Sequence, residues 1–113
     1  MKKKLYLSGP MSICKDKETW ERNFQKYEDI FIEKGYDVVN PAKNDIFPTY
    51  EECLKNSLKQ EMECDCIFFL PNSILSNGAR LEYEIAKGCG LEIVLLDDTL
   101  SFTDNYANNS GIK

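Results

Sequence analysis

Glu82 is the residue of this chain whose position points most directly to chemistry. Winding residues 77–89 as a helix at ~100° per residue gathers the apolar positions on one face, which are Leu81, Ile85, Ala86, Gly88 and Cys89. The opposite face holds Arg80, Tyr83, Glu84 and Lys87. Glu82 falls near the middle of the apolar arc, where a carboxylate is costly unless it is paired or used. We therefore expect either a reactive carboxylate in a cavity between small neighbours or a buried one paired with an amide, a hydroxyl or a lysine.

The elements that would position Glu82 alternate along the chain. Short apolar runs typical of buried strands occupy 4–8, 36–40, 65–70 and 92–96. Helical spacing is found over 17–34, where Trp20, Phe24, Tyr27 and Phe31 form an aromatic face, over 50–62, with an inner face of Tyr50, Cys53, Leu54, Ser57, Leu58 and Met62, and over 77–89. This order predicts an α/β fold, a small doubly wound, Rossmann- or flavodoxin-like parallel sheet of four to five strands with helices on both faces. Residues 1–98 form the predicted domain, and 99–113 are a polar tail.

Ligands of such sheets bind outside the carboxyl ends of the strands. Here those ends carry small and polar residues, namely Ser8, Gly9, Pro10, Met11, Asn40, Asn72 and, ahead of the third helix, Ser76 with Gly78 and Ala79. Such loops let backbone amides approach a phosphate or a sugar. Each loop alone is also explained by a simple turn, and Ser76 equally by helix capping.

Composition excludes several classes of catalyst. The 113 residues contain no histidine, so Ser-His-Asp triads, Cys-His dyads and HExxH zinc helices are absent.

The formal net charge of −5 argues against binding a nucleic-acid polymer. No apolar run has the length of a signal peptide or a membrane span, so we expect a cytoplasmic protein without membrane association. Five cysteines without CxxC spacing indicate buried thiols rather than a metal site. Thiol chemistry at Cys64 or Cys66 is the weakest alternative.

Three segments together resemble the nucleoside 2-deoxyribosyltransferase-like superfamily, and within it the small branch named domain of unknown function 4406. They are Tyr6-Leu7-Ser8-Gly9-Pro10-Met11, then Asn40-Pro41-Ala42, and Ser76-x-Gly78-Ala79-x-x-Glu82-x-x-x-Ala86. The resemblance covers roughly residues 3 to 96. It implies an enzyme of N-glycosidic bonds, either a hydrolase or a deoxyribosyltransferase, that acts on a nucleoside 5′-monophosphate or a nucleoside without a cofactor or metal.

The resemblance also implies roles for individual residues. Glu82 is expected to be the nucleophile that attacks the anomeric carbon, and Tyr6 to hydrogen-bond near it. Ser76 lies six positions before Glu82, where the family contacts the sugar's 5′ group. Nucleotide hydrolases have Ser there and nucleoside transferases usually have Asp, so a 5′-monophosphate is favoured.

One expected group is missing from the pattern. The family usually places an Asp after the third strand to assist the leaving base, and this chain has Asn72 in that stretch, so Asp97 or Asp98 would have to supply the acid. The alternative function is therefore a non-catalytic nucleotide-binding or sensing module of the same fold. The resemblance further implies a homodimer or a higher homo-oligomer.

Overall fold

The computed structural model describes residues 2–9, 17–44, 48–71, 73 and 77–96, and these residues hold a parallel sheet of four strands. The strands are β1 (Lys4–Ser8), β2 (Asp37–Val39), β3 (Cys66–Phe69) and β4 (Glu92–Ile93). The helices are α1 (Lys17–Glu33), α2 (Tyr50–Met62) and α3 (Asn77–Cys89), with a 3-10 turn at Pro41–Lys43. Within these described ranges, no helix combines the length and the apolar character needed to cross a membrane.

The strands lie in the order β2-β1-β3-β4, and every neighbouring pair is parallel. Parallel neighbours require a crossover connection, and the helices supply it. The predicted α/β architecture is confirmed. The last strand is shorter than the predicted 92–96, although the amide of Val94 still donates to the carbonyl of Ile67 at 2.9 Å.

The alternation of side chains along β1 divides the interior into two layers. Leu5 and Leu7 face α1 and pack in one apolar cluster with Phe24, Tyr27 and Phe31. Three residues of the predicted aromatic face of α1 are therefore core, whereas the fourth, Trp20, is half-buried. Tyr6 points to the other side, into a second cluster whose further members are Cys64, Ile67, Phe69, Tyr83 and Ala86. Ser8, two residues after Tyr6, shares that second side, which α3 covers.

The buried face of α3 differs from the predicted one, although Glu82 lies on both. Ala79, Glu82, Tyr83 and Ala86 are buried, whereas Leu81 is 46% exposed. The Tyr83 ring meets the Phe69 ring of β3 edge-on, with centroids 5.9 Å apart. Packing of this aromatic ring against the sheet therefore places Tyr83, which was predicted on the outer face, inside.

The inner face of α2 also differs from its prediction. The side chain of Thr49 caps the helix by accepting a hydrogen bond from the amide of Glu52 at 3.1 Å. Tyr50 and Met62, which were expected inside, are 54% and 52% exposed, and the residue that is fully buried is Glu61. The predicted bounds of this helix are confirmed, but the spacing rule put its first and last residues on the wrong face and missed an inward carboxyl group.

Candidate active site

Glu82 is held by two hydroxyl groups of β1. The Tyr6 hydroxyl donates to Oε2 of Glu82 at 2.7 Å, and the Ser8 hydroxyl donates to Oε1 at 2.5 Å. Glu82 is 6% exposed, Tyr6 1% and Ser8 1%. The strand fixes the two hydroxyls on one face at i and i+2, and the second turn of α3 brings the carboxyl group to them. Both carboxyl oxygens are therefore oriented by neutral donors rather than by a cation.

The pKa values of this group show a carboxyl poised near neutrality. Burial raises the pKa of Glu82 to about 7, while the hydrogen bonds from Ser8 and Tyr6 act in the opposite direction because they stabilise the charged form. Burial, and then the Glu82 charge, raise the pKa of Tyr6 well above its ordinary value. Tyr6 therefore stays a hydrogen-bond donor, and Glu82 changes its charge within the physiological range. A buried nucleophile or general base needs this property.

A second buried carboxyl group interacts electrostatically with the first. Glu61 of α2 is 0% exposed, and within the described residues neither of its oxygens has a hydrogen-bond partner. Its pKa is raised to about 9, first by burial and then by the charge of Glu82. The sequence carried a signal for it, since Cys53, Ser57 and Glu61 follow one another at spacings of four on a single helix face.

The predicted loop after β1 is described as far as Gly9. A Cβ atom at Gly9 would lie 2.9 Å from Cβ of Leu70 and 3.2 Å from Cζ of Phe24, so the missing side chain lets β1 pass close to the end of β3. Ser73 reinforces this junction, because its hydroxyl donates to the carbonyl of Leu70 and also, at 3.4 Å, to that of Ser8. Gly9 thus has a packing role next to the Glu82 site.

The other predicted binding residues occupy different surroundings. Asn40 caps the 3-10 turn by accepting from the amide of Ala42 and donates to Glu28 of α1 at 3.0 Å, so its polar groups are engaged within the fold. Gly78 and Ala79 lie in the first turn of α3, Gly78 half-buried and Ala79 buried. Four further candidates lie outside the described residues, namely Pro10, Met11, Asn72 and Ser76. The same holds for Asp97, Asp98 and the tail at 99–113.

The two cysteines considered for thiol chemistry are buried donors to carbonyl groups. Sγ of Cys64 donates to the carbonyl of Gln60 at 3.2 Å, and Sγ of Cys66 to that of Lys4 at 3.6 Å. Burial raises the pKa of Cys64 to about 12 and that of Cys66 to about 11. Thiols held in this way are poor nucleophiles. In the part of the chain that the structure describes, no group of three or more potential Cys, Asp or Glu ligands could hold a metal ion.

Comparison with known proteins places the fold. The family model described as Domain of unknown function (DUF4406) matches residues 3–95. The CMP N-glycosidase BcmB of Clostridium botulinum has a similar structure, with a TM-score of 0.61 and 23% sequence identity over 95% of this chain and 81% of that chain.

A second solved structure is a 2-deoxyribosyltransferase from the psychrotolerant bacterium Bacillus psychrosaccharolyticus. Its TM-score is 0.60 at 20% identity, over 80% of this chain and 69% of that chain. No curated protein matches the sequence at a significant level. The fold is therefore nucleoside 2-deoxyribosyltransferase-like.

Proposed function

This chain belongs to the DUF4406 family, and on that premise we propose that it cleaves the N-glycosidic bond of a nucleoside 5′-monophosphate or a nucleoside, with Glu82 as the nucleophile. One observation carries the proposal. A single buried carboxyl group accepts hydrogen bonds from two hydroxyls of the central strand β1, Tyr6 at 2.7 Å and Ser8 at 2.5 Å. The two donors hold the carboxylate in one orientation. Nucleophilic attack on a sugar carbon needs such a fixed, partly desolvated nucleophile.

The reaction would proceed in two displacements. An oxygen of the ionised Glu82 attacks C1′ of the sugar, and the bond from C1′ to the base nitrogen breaks with its electron pair on the base. A proton taken up by the base completes its release and leaves a glycosyl ester on Glu82. Water then attacks C1′ and loses a proton, which balances the proton taken up by the base; the ester bond breaks, and the carboxylate is regenerated with net retention at C1′. A second base in place of water gives transfer instead of hydrolysis.

Tyr6 and Ser8 would orient the nucleophile and stabilise its negative charge. Their hydrogen bonds hold Glu82 in one orientation before the attack, which removes rotational freedom from the reaction. Because both donors are neutral, they stabilise the carboxylate without quenching it as an ion pair with lysine or arginine would. A 5′-phosphate would be bound by Ser76 and by amides at the start of α3, as helix N-termini bind anions.

The experiment measures free base by chromatography after incubation with a panel of nucleosides and nucleoside 5′-monophosphates. We expect the wild-type protein to release base from at least one 5′-monophosphate, and Glu82→Gln to reduce the rate by about a thousandfold or more. Glu84→Gln is the matched control, because Glu84 lies on the same helix and is exposed. Unchanged base release in the Glu82→Gln variant would disprove the proposal.

A non-catalytic nucleotide-binding module is the second candidate. It is favoured by one feature of the sequence, the Asn at position 72 in the stretch where the family usually has the Asp that assists the leaving base. Calorimetry separates the two functions. Nucleotide binding without release of base over many hours would establish the module, whereas release that depends on Glu82 would establish the enzyme.

A further inference from the structure

Glu61 is a buried carboxyl group that the proposed reaction does not yet use. It lies in the last turn of α2, and its side chain has no exposed surface. Neither Oε1 nor Oε2 accepts or donates a hydrogen bond among the described residues. An ionised carboxylate without partners is among the most costly groups to bury, so the surroundings of Glu61 require it to be neutral, which means protonated.

The titratable groups whose charges act on Glu61, or on which its charge acts, are themselves acids. From α3 it is Glu82, from β1 it is Tyr6, and from the turn after α2 it is Cys64, and each interacts electrostatically with Glu61. A positive charge in this set would have drawn the proton off Glu61, and none of the three carries one. Glu61 and Glu82 are both buried, and they lie on α2 and α3, which pack against each other; we refer to them as the carboxyl pair.

The two members of the carboxyl pair differ in their hydrogen bonds. Glu82 has two donors on its oxygens, and each favours its charged form. Glu61 has none. When two carboxyl groups are buried close together, the one whose charged form receives more hydrogen bonds ionises first, and the other keeps its proton. The geometry thus decides which carboxyl group becomes the carboxylate, and the choice falls on Glu82.

We propose that Glu61 is a positioning residue that retains a proton beside Glu82, so that the carboxyl pair carries one negative charge and this charge stays on the nucleophile. The inference rests on the proposed function of Glu82. Ionisation of Glu61 would add a second buried charge next to the nucleophile and to an anionic nucleotide. The retained proton therefore sets the upper pH limit of the site, while ionisation of Glu82 sets the lower one.

The pH dependence of base release tests this role. We expect a bell-shaped profile for the wild-type protein. Its acid limb should lie near pH 7, because the pKa of Glu82 is raised to about 7, and its alkaline limb near pH 9, because the pKa of Glu61 is raised to about 9. Glu61→Gln keeps a neutral group of the same shape, so it should retain the acid limb and lose the alkaline one. At one pH unit above the wild-type alkaline limb, the variant should be about tenfold faster than wild type.

The matched control is Glu63→Gln, which removes an exposed carboxylate at the end of the same helix. It should keep both limbs of the wild-type profile. A Glu61→Gln variant that folds and shows the wild-type alkaline limb would overturn the proposal, because Glu61 would then be a structural residue only. Circular dichroism establishes that each variant is folded.

A second measurement does not depend on turnover. Nuclear magnetic resonance of protein labelled with ¹³C at the glutamate side-chain carboxyl follows each titration directly, and Glu61→Gln and Glu82→Gln assign the two signals. We expect Glu61 to titrate near pH 9 in the wild-type protein and at lower pH in Glu82→Gln, where the neighbouring charge is gone. Titration of Glu61 near pH 4 to 5 would overturn the inference.

The two measurements separate the inference from the proposed function. If no nucleotide is cleaved but Glu61 titrates near pH 9 and responds to Glu82→Gln, the carboxyl pair exists and the proposed reaction is wrong. If base is released in a Glu82-dependent manner while Glu61 titrates at its ordinary pH, the reaction stands and the inference about Glu61 is wrong.

Discussion

The hydroxyl of Tyr6 in β1 donates a 2.7 Å hydrogen bond to Oε2 of Glu82 in α3, across 76 positions of sequence. The tyrosine ring is also part of the apolar cluster between the sheet and α3. One side chain thus fixes the position of α3 through its ring and the orientation of Glu82 through its hydroxyl. The site and the core are built from the same residue, and a variant that separates the two roles is therefore informative.

Tyr6→Phe keeps the ring and removes the hydroxyl. Loss of a hydrogen bond to a charged group costs about 1.5–3 kcal/mol, so we expect base release to slow about 10- to 100-fold. The acid limb should also move to higher pH, because the Tyr6 hydrogen bond lowers the pKa of Glu82. Rate measurements from pH 5 to pH 10 check both effects.

The control for this variant is Tyr36→Phe. Tyr36 is half-buried, and its ring packs edge-on against Phe31 in the cluster on the α1 side, away from Glu82. We expect wild-type rates and an unshifted acid limb. A Tyr6→Phe protein that behaves like the control would show that the hydroxyl contributes nothing to the nucleophile.

Ser8→Ala removes the second donor, which lies 2.5 Å from Oε1 of Glu82. We expect a loss of rate similar to that of Tyr6→Phe. Because both donors act on one carboxylate, the double variant Tyr6→Phe/Ser8→Ala should differ from the sum of the single effects by 0.5 kcal/mol or more, about the threshold at which neighbouring residues are coupled. A double-mutant cycle of base-release rates measures this difference, and strict additivity would show that the two hydroxyls do not share a target.

The sequence was sufficient to predict the order of the elements, because each has a period and a clear end. The spacing of aromatic residues over 17–34 predicts α1, and Gly35, whose φ is +100°, follows its C-terminus. The edge strand β4 was predicted too long. Apolar residues at 94–96 satisfy the pattern of a strand, but only Glu92 and Ile93 are paired with a neighbour in register.

The site was predictable where a polar residue broke an apolar pattern. Glu82 is flanked by Ala79 and Ala86 one turn away, and that contrast was visible in a helical wheel. The prediction misses Glu61 because the predicted inner face of α2 includes Tyr50 and Met62, which the structure leaves exposed. Helical spacing does not say which of two possible faces meets the sheet; packing against Tyr6 and α3 decides it.

Gly9→Ala tests the close approach between β1 and β3. The added methyl group would lie 2.9 Å from Cβ of Leu70, whose backbone amide is held in place because it donates a hydrogen bond to the carbonyl of Ser8 at 2.7 Å. Overpacking of this kind costs about 1–3 kcal/mol, so we expect a clear fall in the midpoint of thermal unfolding.

Gly88→Ala is the matched control for this substitution. Gly88 lies within α3, and a Cβ there meets nothing within 4 Å. Alanine is the better helix former, so this variant should gain about 0.5–1 kcal/mol in the free energy of unfolding. Equal stability of the two alanine variants would contradict the packing role of Gly9.

Glu61→Gln should change the pH dependence of stability in a defined direction. The ordinary pKa of a glutamate is 4.5, and in the folded protein that of Glu61 is raised to about 9. Well below pH 4.5, Glu61 is protonated in both the folded and the unfolded state, so its titration does not make the stability depend on pH. Between pH 4.5 and 9 the unfolded chain loses the proton that the folded protein keeps, so stability falls as the pH rises, by at most roughly 1.4 kcal/mol per pH unit.

Glutamine has no such proton, so the advantage of the variant over wild type should grow from pH 5 to pH 9 and then level off. Glu82→Gln should show the same trend with an earlier plateau, near pH 7, because the pKa of Glu82 is raised only to about 7. Urea unfolding at pH 5, 6, 7, 8 and 9 measures both curves, with Glu63→Gln as the exposed control. A difference between Glu61→Gln and wild type that is constant with pH would show that Glu61 is ionised in the folded protein.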